Sequence, residues 1–202
     1  MNTGPMAFMR GLQFPGGQQP VIHGENVYLR YPRVPDYLQW SRLRGESREF
    51  LTPWEPIWAT DELSKGAFRR RLKRYQRETR LDTAYAFFVF RTLDDVLLGG
   101  CTLSNVRRGV TQCCALGYWI GERFAGQGHM YDAVRALVPF IFNTLGLHRI
   151  EAACLPSNEP SKNLLAKIGF RQEGLAKRYL QINGDWQDHA QFALLADEAK
   201  LG

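Results

Sequence analysis

The sequence predicts a single mixed α/β domain, in which helices flank a mostly antiparallel sheet of about six to seven strands. Three apolar runs between residues 85 and 120 are separated by turn-forming residues, which is typical of an antiparallel meander. A glycine-rich loop and an amphipathic helical pattern follow at 121–142, and they indicate a helix that crosses over the sheet. A second, shorter helical pattern and two further strand-like runs complete the chain.

The chain has 202 residues, of which 45% are hydrophobic, so it can bury one substantial core. Residues 1–20 are broken by glycine and proline, and we expect them to form a flexible arm ahead of a domain at 21–197. No apolar run approaches the ~20 residues of a membrane span, and the first residues lack the apolar core of a signal peptide. We therefore expect a cytoplasmic protein without a membrane partner.

Cysteine spacing and charge restrict the ligands. The four cysteines lack the paired short spacings of zinc and redox sites, so we expect reduced thiols in the core. His129 and His189 have no convergent set of ligands around them, and we expect no metal site. The net charge of +6 favours a polyanionic partner, such as a phosphate-rich cofactor or RNA, without choosing between them.

The N-terminal half is predicted to contain one strand and two helices. Alternation over 25–30 predicts the strand, and a helix is expected from about Asp36 to Arg44. Residues 51–58 contain two prolines and are too broken for regular structure. A long helix is expected from Thr60 to about Arg80, with one strongly basic face. Its apolar stripe consists of Leu63, Ala67, Phe68, Leu72 and Tyr75.

The C-terminal half is predicted to alternate between strands and helices. Strands are expected at 85–91, 96–105, 111–120, 148–155, 170–179 and 189–195. A helix is expected from 129 to a stop at Gly146, and a shorter one from Asn158 to a stop at Gly169. The dipeptide Asn183-Gly184 joins the last two strands.

A loop with glycines at 121, 126 and 128 lies between the strand that ends near Ile120 and the helix that begins near His129. Its glycines let backbone amides converge on an anion at the helix N-terminus, and the natural ligand there is a phosphate group. Arg123 can add a charge-assisted contact to it. On these residues alone, a plain turn from strand to helix remains the alternative.

Two other phosphate-binding loops fit less well. A Walker loop requires Lys-Ser or Lys-Thr after its second glycine, and the chain has neither there. A dinucleotide-binding loop would use Gly126 and Gly128 with Glu151 as the ribose-binding acid, but Tyr131 occupies the third glycine position. An antiparallel meander also precedes the loop, and Glu151 lies near the beginning of its strand.

Two motifs favour one interpretation of the glycine loop. Arg123 to Gly128 matches the pattern Arg/Gln-x-x-Gly-x-Gly/Ala, and Asn158 to Phe170 is similar to an Asn-x-x-Ser/Ala helix that ends in Gly-Phe. Both patterns are signatures of the GNAT family of N-acetyltransferases, which the chain resembles over about 21–196. It looks closest to the RimJ branch of ribosomal-protein-alanine N-acetyltransferases. The strings behind that placement lie at 50–56, 104–106, 116–118, 148–150 and 173–189.

The resemblance implies a sheet splayed between the strands that end at Ile120 and Leu155, with the pantetheine arm of acetyl-CoA in the gap. A backbone amide near Tyr118 to Ile120 would stabilise the thioester oxygen. The implied cofactor-binding residues are Tyr118, Trp119, Ile120, Arg123, Phe124, Ala125, Gly126, Gln127, Gly128, His129, Met130, Asn158 and Ser161.

Three residues are candidates for the chemistry. Many members of the family protonate the departing thiolate with a Tyr of the short helix, but Leu164 and Leu165 stand in that region, so Ser161 is the nearest hydroxyl donor. Glu55 is the preferred base or amine anchor, and Asp188 competes with it from the last strand pair. Each has a structural alternative: a helix cap for Ser161, a surface turn for Glu55 and an ordered hairpin for Asp188.

Together these features predict transfer of acetyl from acetyl-CoA to the N-terminal amine of a protein, by direct attack in a ternary complex. A ribosomal protein with N-terminal alanine is the first choice of acceptor. Acetylation of a small amine or antibiotic is one alternative, and a non-catalytic ribosome- or RNA-binding assembly factor is another. The basic helix face at 69–80 could contact ribosomal RNA, although a solvated helix face also accounts for it.

Overall fold

A computed structural model describes residues 19–199, so the predicted arm at 1–20 lies outside the described residues except for its last two. The strands are β1 (Val21–His23), β2 (Val27–Arg30), β3 (Tyr85–Arg91), β4 (Leu97–Arg107), β5 (Cys113–Ile120), β6 (Arg149–Cys154), β7 (Arg171–Ile182) and β8 (Asp185–Leu195). They form one sheet in the order β1-β2-β3-β4-β5-β6-β8-β7. The predicted mixed fold with a mostly antiparallel sheet is confirmed, with eight strands instead of six to seven.

The main helices are α1 (Tyr37–Glu46), α2 (Arg48–Leu51), α3 (Lys65–Arg80), α4 (His129–Pro139) and α5 (Glu159–Ile168). On one face of the sheet, the Trp40 ring of α1 lies 4.9 Å from the Phe68 ring of α3, which packs against Phe88 of β3. On the other face, Phe140 at the end of α4 meets the Phe87 ring edge-on at 5.6 Å. Because both faces of β3 are covered by helices, its residues form a continuous apolar run rather than an alternating one.

The sheet opens between β5 and β6, which are the only parallel neighbours among the described strands. Their pairing covers three residue pairs, from Cys113 with Arg149 to Ala115 with Glu151. Beyond Ala115, β5 continues to Ile120 and β6 continues to Cys154 without further pairing between them. The carboxyl ends of the two strands therefore diverge, and the predicted splay of the sheet is confirmed.

The long helix α3 begins at Lys65, so the predicted start at Thr60 is wrong. Ser64 is the N-cap, and its hydroxyl accepts a hydrogen bond from Ala67 N at 3.1 Å. The acids expected in the first turn instead fold back on the helix, where Asp61 pairs with Arg70 and Glu62 pairs with Arg71. The basic side chains of the helix thus hold the segment before it outside the helix.

Three other segments are more regular than predicted. Residues 48–54 form α2 and a 3-10 turn, because Pro53 lies in the first turn, where an N–H has no helical partner to lose. The short β1 pairs antiparallel with β2 and supplies the eighth strand. The last hairpin extends to Ile182 and resumes at Asp185, because Asn183 and Gly184 both adopt positive φ, at 46° and 93°, as a tight hairpin turn requires.

The four cysteines are free and buried, as predicted. Burial raises the pKa of the Cys101 and Cys114 thiols to about 12, so both stay neutral. No helix within 19–199 is long and apolar enough to cross a membrane. Within the same residues, no group of three His, Cys, Asp or Glu side chains could hold a metal ion.

Candidate active site

The glycine loop ends in two residues with left-handed backbone. Gly126 has φ of 73° and Gly128 has φ of 83°, and Gly128 is the N-cap of α4. A Cβ placed on either glycine would meet no atom within 4 Å, so the space above the loop is open. The free amides at the start of α4 border this space, and a helix N-terminus favours an anion there. The loop therefore fits a phosphate group.

The beginning of the loop is fixed on α1. Glu122 N donates to the buried hydroxyl of Ser47 at 2.9 Å, and Gly121 N donates to Leu98 O at 2.8 Å. A Cβ on Gly121 would lie 2.3 Å from Cδ1 of Leu43, so only glycine allows this close approach. The loop is thus held on a rigid base while its second half faces open space.

The side chains of the loop divide between packing and solvent. Phe124 is buried, with the Arg123 guanidinium 4.6 Å from its ring centroid. Arg123 is half exposed and makes only a long ion pair of 3.9 Å with Glu46, which leaves its charge available to a ligand. Gln127 donates from its side-chain amide to Arg123 O at 2.8 Å, and it helps to shape the turn.

The helix residues after the loop differ in what they can offer a ligand. The buried Met130 packs its sulfur 3.6 Å from the thiol of Cys101, so only its backbone can face a ligand. His129 and Ala125 are partly exposed beside the loop.

Backbone amides of β5 line the gap between β5 and β6. Gly121 N bonds Leu98 O and so continues the ladder between β4 and β5. Because peptide groups of an antiparallel pair alternate between the partner and the opposite side, the N–H of Trp119 faces β4. The N–H groups of Tyr118 and Ile120 then face the gap, past the last residue of β5 that pairs with β6. The predicted donors for a thioester oxygen are therefore located where a ligand in the gap would need them.

The side chain of Tyr118 crosses from β5 to α5. Its hydroxyl lies 2.8 Å from Oγ of Ser161 and 3.4 Å from the Ser161 carbonyl oxygen. Burial raises the pKa of Tyr118 well above its ordinary value, so the phenol stays neutral. Asn158 is the N-cap of α5, and its Oδ1 accepts from Ser161 N at 3.1 Å. Asn158 thus fixes the helix turn that carries Ser161.

The Glu55 carboxylate is already engaged by its neighbours. Arg44 donates to both of its oxygens, at 2.7 Å and 2.6 Å, and Trp58 Nε1 donates to one of them at 2.8 Å. The buried Arg44 guanidinium lies between two indoles, 4.3 Å from the Trp58 ring and 4.9 Å from the Trp119 ring. A carboxylate with these three donors suits an anchor for a positive group better than a proton acceptor.

Asp188 has a local partner in the last hairpin. Its Oδ1 accepts a hydrogen bond from Arg178 N at 2.8 Å, and Arg178 has a positive φ of 48°. Arg178 lies where the register of β7 against β8 shifts, between Ala176 and Leu180. This arrangement supports the structural alternative, in which Asp188 orders a bulge.

The Glu55 loop and the β7–β8 turn meet beside the gap. Asn183 N donates to Glu55 O at 2.9 Å, and a Cβ on Gly184 would lie 3.2 Å from Cδ1 of Ile57. Sequence reasoning missed this contact and Arg44. It placed Tyr118 and Trp119 at the site but assigned no role to the Tyr118 hydroxyl or to the Trp119 ring. The available signal was the proximity of Tyr118 and Trp119 to the glycine loop along the chain, whereas nothing in the sequence marked Arg44.

Comparison with known proteins gives consistent matches. The acetyltransferase (GNAT) domain family matches residues 26–171. The [ribosomal protein uS5]-alanine N-acetyltransferase of Escherichia coli is 38% identical over 174 residues, which cover 86% of this chain and 84% of that protein.

Solved structures agree with these matches. RimJ of Mycobacterium smegmatis, in complex with CoA-disulfide, is 32% identical with a TM-score of 0.83, over 89% of this chain and 88% of that chain. The ribosomal-protein-S5-alanine acetyltransferase of Vibrio fischeri is 30% identical with a TM-score of 0.82, over 90% of this chain and 99% of that chain.

Proposed function

Because the chain belongs to the acetyltransferase (GNAT) family, we propose that its acceptor is the α-amine of a protein N-terminus, with ribosomal proteins that begin with alanine as first choice. The family, the acetyltransferase activity and acetyl-CoA as donor are those predicted from the sequence, and they are confirmed. The observation that supports this acceptor is the 38% identity to a uS5-alanine N-acetyltransferase over 86% of the chain.

The donor site consists of the glycine loop and the gap beside it. The amides around Gly126 and Gly128 and the charge of Arg123 hold the pyrophosphate of acetyl-CoA at the start of α4. The gap between β5 and β6, where the strands no longer pair, would hold the pantetheine arm. The N–H groups of Tyr118 and Ile120 then stabilise the negative charge that develops on the thioester oxygen. Ser161 Oγ is the hydroxyl that faces the departing sulfur.

The acceptor amine needs little help to lose its proton. A protein α-amine has a pKa of about 7.7–8.0, so on the order of a tenth of it is neutral near pH 7. Glu55 is 21% exposed at its side chain and keeps lone pairs beside those that Arg44 and Trp58 use. We assign it the role of orienting the amine, while water removes the proton. Most of the acceleration then comes from holding amine and thioester together.

A panel of acceptors tests this proposal. Peptides that differ only in the first residue, an N-terminally blocked copy of the best peptide, and small amines are each incubated with acetyl-CoA. Mass spectrometry should locate the acetyl group on the α-amine, with alanine preferred and the blocked peptide unmodified. Turnover of small amines with no turnover of any peptide would overturn the proposed acceptor and establish the small-amine alternative.

The exposed face of α3 supports a further part of the proposal, contact with ribosomal RNA. Four cations follow each other at intervals of four residues, so they lie along one side of the helix. They are Lys65, Arg69, Lys73 and Arg77. None of them makes an ion pair or side-chain hydrogen bond with another residue of 19–199. On the same helix, Arg70 and Arg74 are paired with Asp61 and Glu78. Unpaired cations in a row are suited to replacing the counterions of a phosphate backbone.

Salt dependence tests the RNA contact. Binding to a ribosomal RNA fragment is measured between about 50 and 200 mM salt for wild type and for the triple variant Arg69→Gln, Lys73→Gln and Arg77→Gln. The slope of log K against log salt should fall by about 2 to 3, at roughly 0.9 per lost phosphate contact. The double variant Arg70→Gln and Arg74→Gln is the control and should change the slope less. Equal slopes for the triple variant and wild type would remove the helix from RNA binding.

A further inference from the structure

We propose that Tyr118 is a positioning residue for thiolate departure, because its hydroxyl holds the Ser161 hydroxyl so that the Ser161 proton points into the gap between β5 and β6. The inference rests on the proposed role of Ser161 and deepens it. It assigns the Tyr118 side chain a role distinct from that of its backbone amide. It also changes Ser161 from a proton donor to a donor of a hydrogen bond.

The geometry around the two hydroxyls favours this orientation. The phenol oxygen of Tyr118 lies within hydrogen-bond distance of two oxygens of Ser161, Oγ and the carbonyl. Either hydroxyl of the pair at 2.8 Å could donate, but a phenol is the stronger donor, and the carbonyl is the more distant acceptor at 3.4 Å. Both points favour the Ser161 Oγ as the acceptor of the phenol hydrogen. If Tyr118 donates to Oγ, the hydrogen of Ser161 is free for another acceptor. Ser161 N donates to Asn158 Oδ1 at the same time, so the backbone of Ser161 is fixed by Asn158 and its hydroxyl by Tyr118.

The charges around the pair suit a neutral hydrogen-bond donor. Burial holds the pKa of Tyr118 well above its ordinary value, whereas a free thiol titrates near 8.5. A complete proton transfer from the phenol to a thiolate is therefore uphill, and the pair can only donate a hydrogen bond. Burial raises the pKa of Cys154 more than the neighbouring Ser161 hydroxyl lowers it, so this thiol stays neutral and no negative charge competes with the sulfur of CoA. The other charged groups near Cys154 are Lys162 and Glu159, which pair with each other at 2.7 Å.

The chemical step balances without an acidic side chain. The amine nitrogen forms a bond to the acetyl carbon, the bond from that carbon to sulfur breaks, and the sulfur keeps the electron pair. Ser161 Oγ–H donates to that sulfur, and the hydrogen bond from Tyr118 polarises the Ser161 hydroxyl. The proton lost by the amine leaves to water, and the thiolate takes its proton from water.

The test compares the rates at which wild type, Tyr118→Phe, Ser161→Ala and the double variant release the CoA thiol. The acceptor in this assay is any amine that wild type acetylates. Tyr118→Phe should lower kcat about 10-fold and change KM for acetyl-CoA less than about 3-fold. Ser161→Ala should lower kcat by roughly 10- to 100-fold, as expected for a hydrogen bond to a charged group. The double variant should fall no further than Ser161→Ala, because Tyr118 acts through Ser161. Ser161→Thr keeps a hydroxyl and should restore the dependence on Tyr118.

The matched control is Tyr28→Phe on β2. It removes a phenol hydrogen bond of 2.9 Å to Asp95 and should leave kcat unchanged. Between pH 7 and about 10, kcat of wild type should show no decline from ionisation of an acid. Losses that multiply in the double variant, or a Tyr118→Phe enzyme as active as Tyr28→Phe, would overturn the inference. Because the assay uses any acetylated amine, these outcomes are separate from a failure of the proposed peptide acceptor.

Discussion

Glu55→Ala tests whether this carboxylate is an anchor or a proton acceptor. The variant leaves the Arg44 guanidinium, 7% exposed at its side chain, without a negative partner. Removing one member of a buried ion pair costs about 3–5 kcal/mol. Because the Glu55 side chain is 21% exposed, we expect a loss in the free energy of unfolding at the lower end of this range, about 3 kcal/mol. For a domain of this size, that loss lowers the melting temperature by roughly 6–12 °C.

Thermal melts and steady-state kinetics are measured on the same variants. The double variant Arg44→Met and Glu55→Leu removes both charges, and it should recover at least half of the lost stability. Glu46→Gln is the control, because Glu46 is 42% exposed and bonds Arg42 at the surface. The free energy of unfolding of this variant should fall by no more than about 1 kcal/mol, as for other surface ion pairs.

The kinetic result separates the two roles. If Glu55 is an anchor, its removal should raise KM for the acceptor, while the dependence of kcat on pH keeps its shape. A melting temperature within 2 °C of wild type, together with a loss of kcat of about 100-fold or more, would instead identify Glu55 as a proton acceptor. That outcome would refute the reasoning from its hydrogen-bond partners.

Three further predictions follow from single residues. Gly128→Ala places a side chain at φ of 83° and should weaken acetyl-CoA binding about 5- to 30-fold, whereas Gly109→Ala carries similar strain at φ of 66° in a distant turn and should leave binding unchanged by calorimetry. Asn158→Ala should cost about 1 kcal/mol of stability and lower kcat, because it removes the cap that fixes Ser161, and Asn158→Asp should restore both. Burial raises the pKa of Asp82, but hydrogen bonds from Arg108 and Tyr85 lower it by more, so its pKa in the folded state lies below the ordinary value. The stabilisation from this carboxylate is therefore present above the ordinary pKa and is lost as the pH falls through the lowered pKa. Melting temperatures of wild type and Asp82→Asn should therefore differ above about pH 5 and converge below pH 4.

The glycine loop and the Asn158 helix were predictable because their constraints are local. Gly126 and Gly128 require positive φ, and Gly169 ends α5 with φ of 113°, so each glycine marks a backbone conformation directly in the sequence. Asn158 caps its own helix three residues away. Such short-range requirements can be identified before the fold is known.

The surroundings of Glu55 were not predictable in the same way. Its string of tryptophan and proline indicates a rigid loop, but the partner that fixes the carboxylate lies eleven residues earlier, on α1. Arg44 belongs to a helix of ordinary polar composition, and only tertiary packing turns it inward between Trp58 and Trp119. The start of α3 was misplaced for a related reason, because the ion pairs of Asp61 and Glu62 depend on the folded chain.

The strand β5 explains why the proposed donor and acceptor sides meet at one point. Successive side chains of a strand point to opposite faces, so Tyr118 reaches Ser161 on the α5 side while Trp119 lies against Arg44 on the α1 side. The neighbouring strand β4 allows this because it carries two glycines against Trp119. A Cβ on Gly100 would lie 2.8 Å from the indole Nε1, and a Cβ on Gly99 would lie 2.2 Å from the Trp119 backbone oxygen. A methyl group at either glycine would therefore displace Trp119 or β5 itself. The proposed acceptor and donor sides would then be disturbed together, although both glycines lie outside β5.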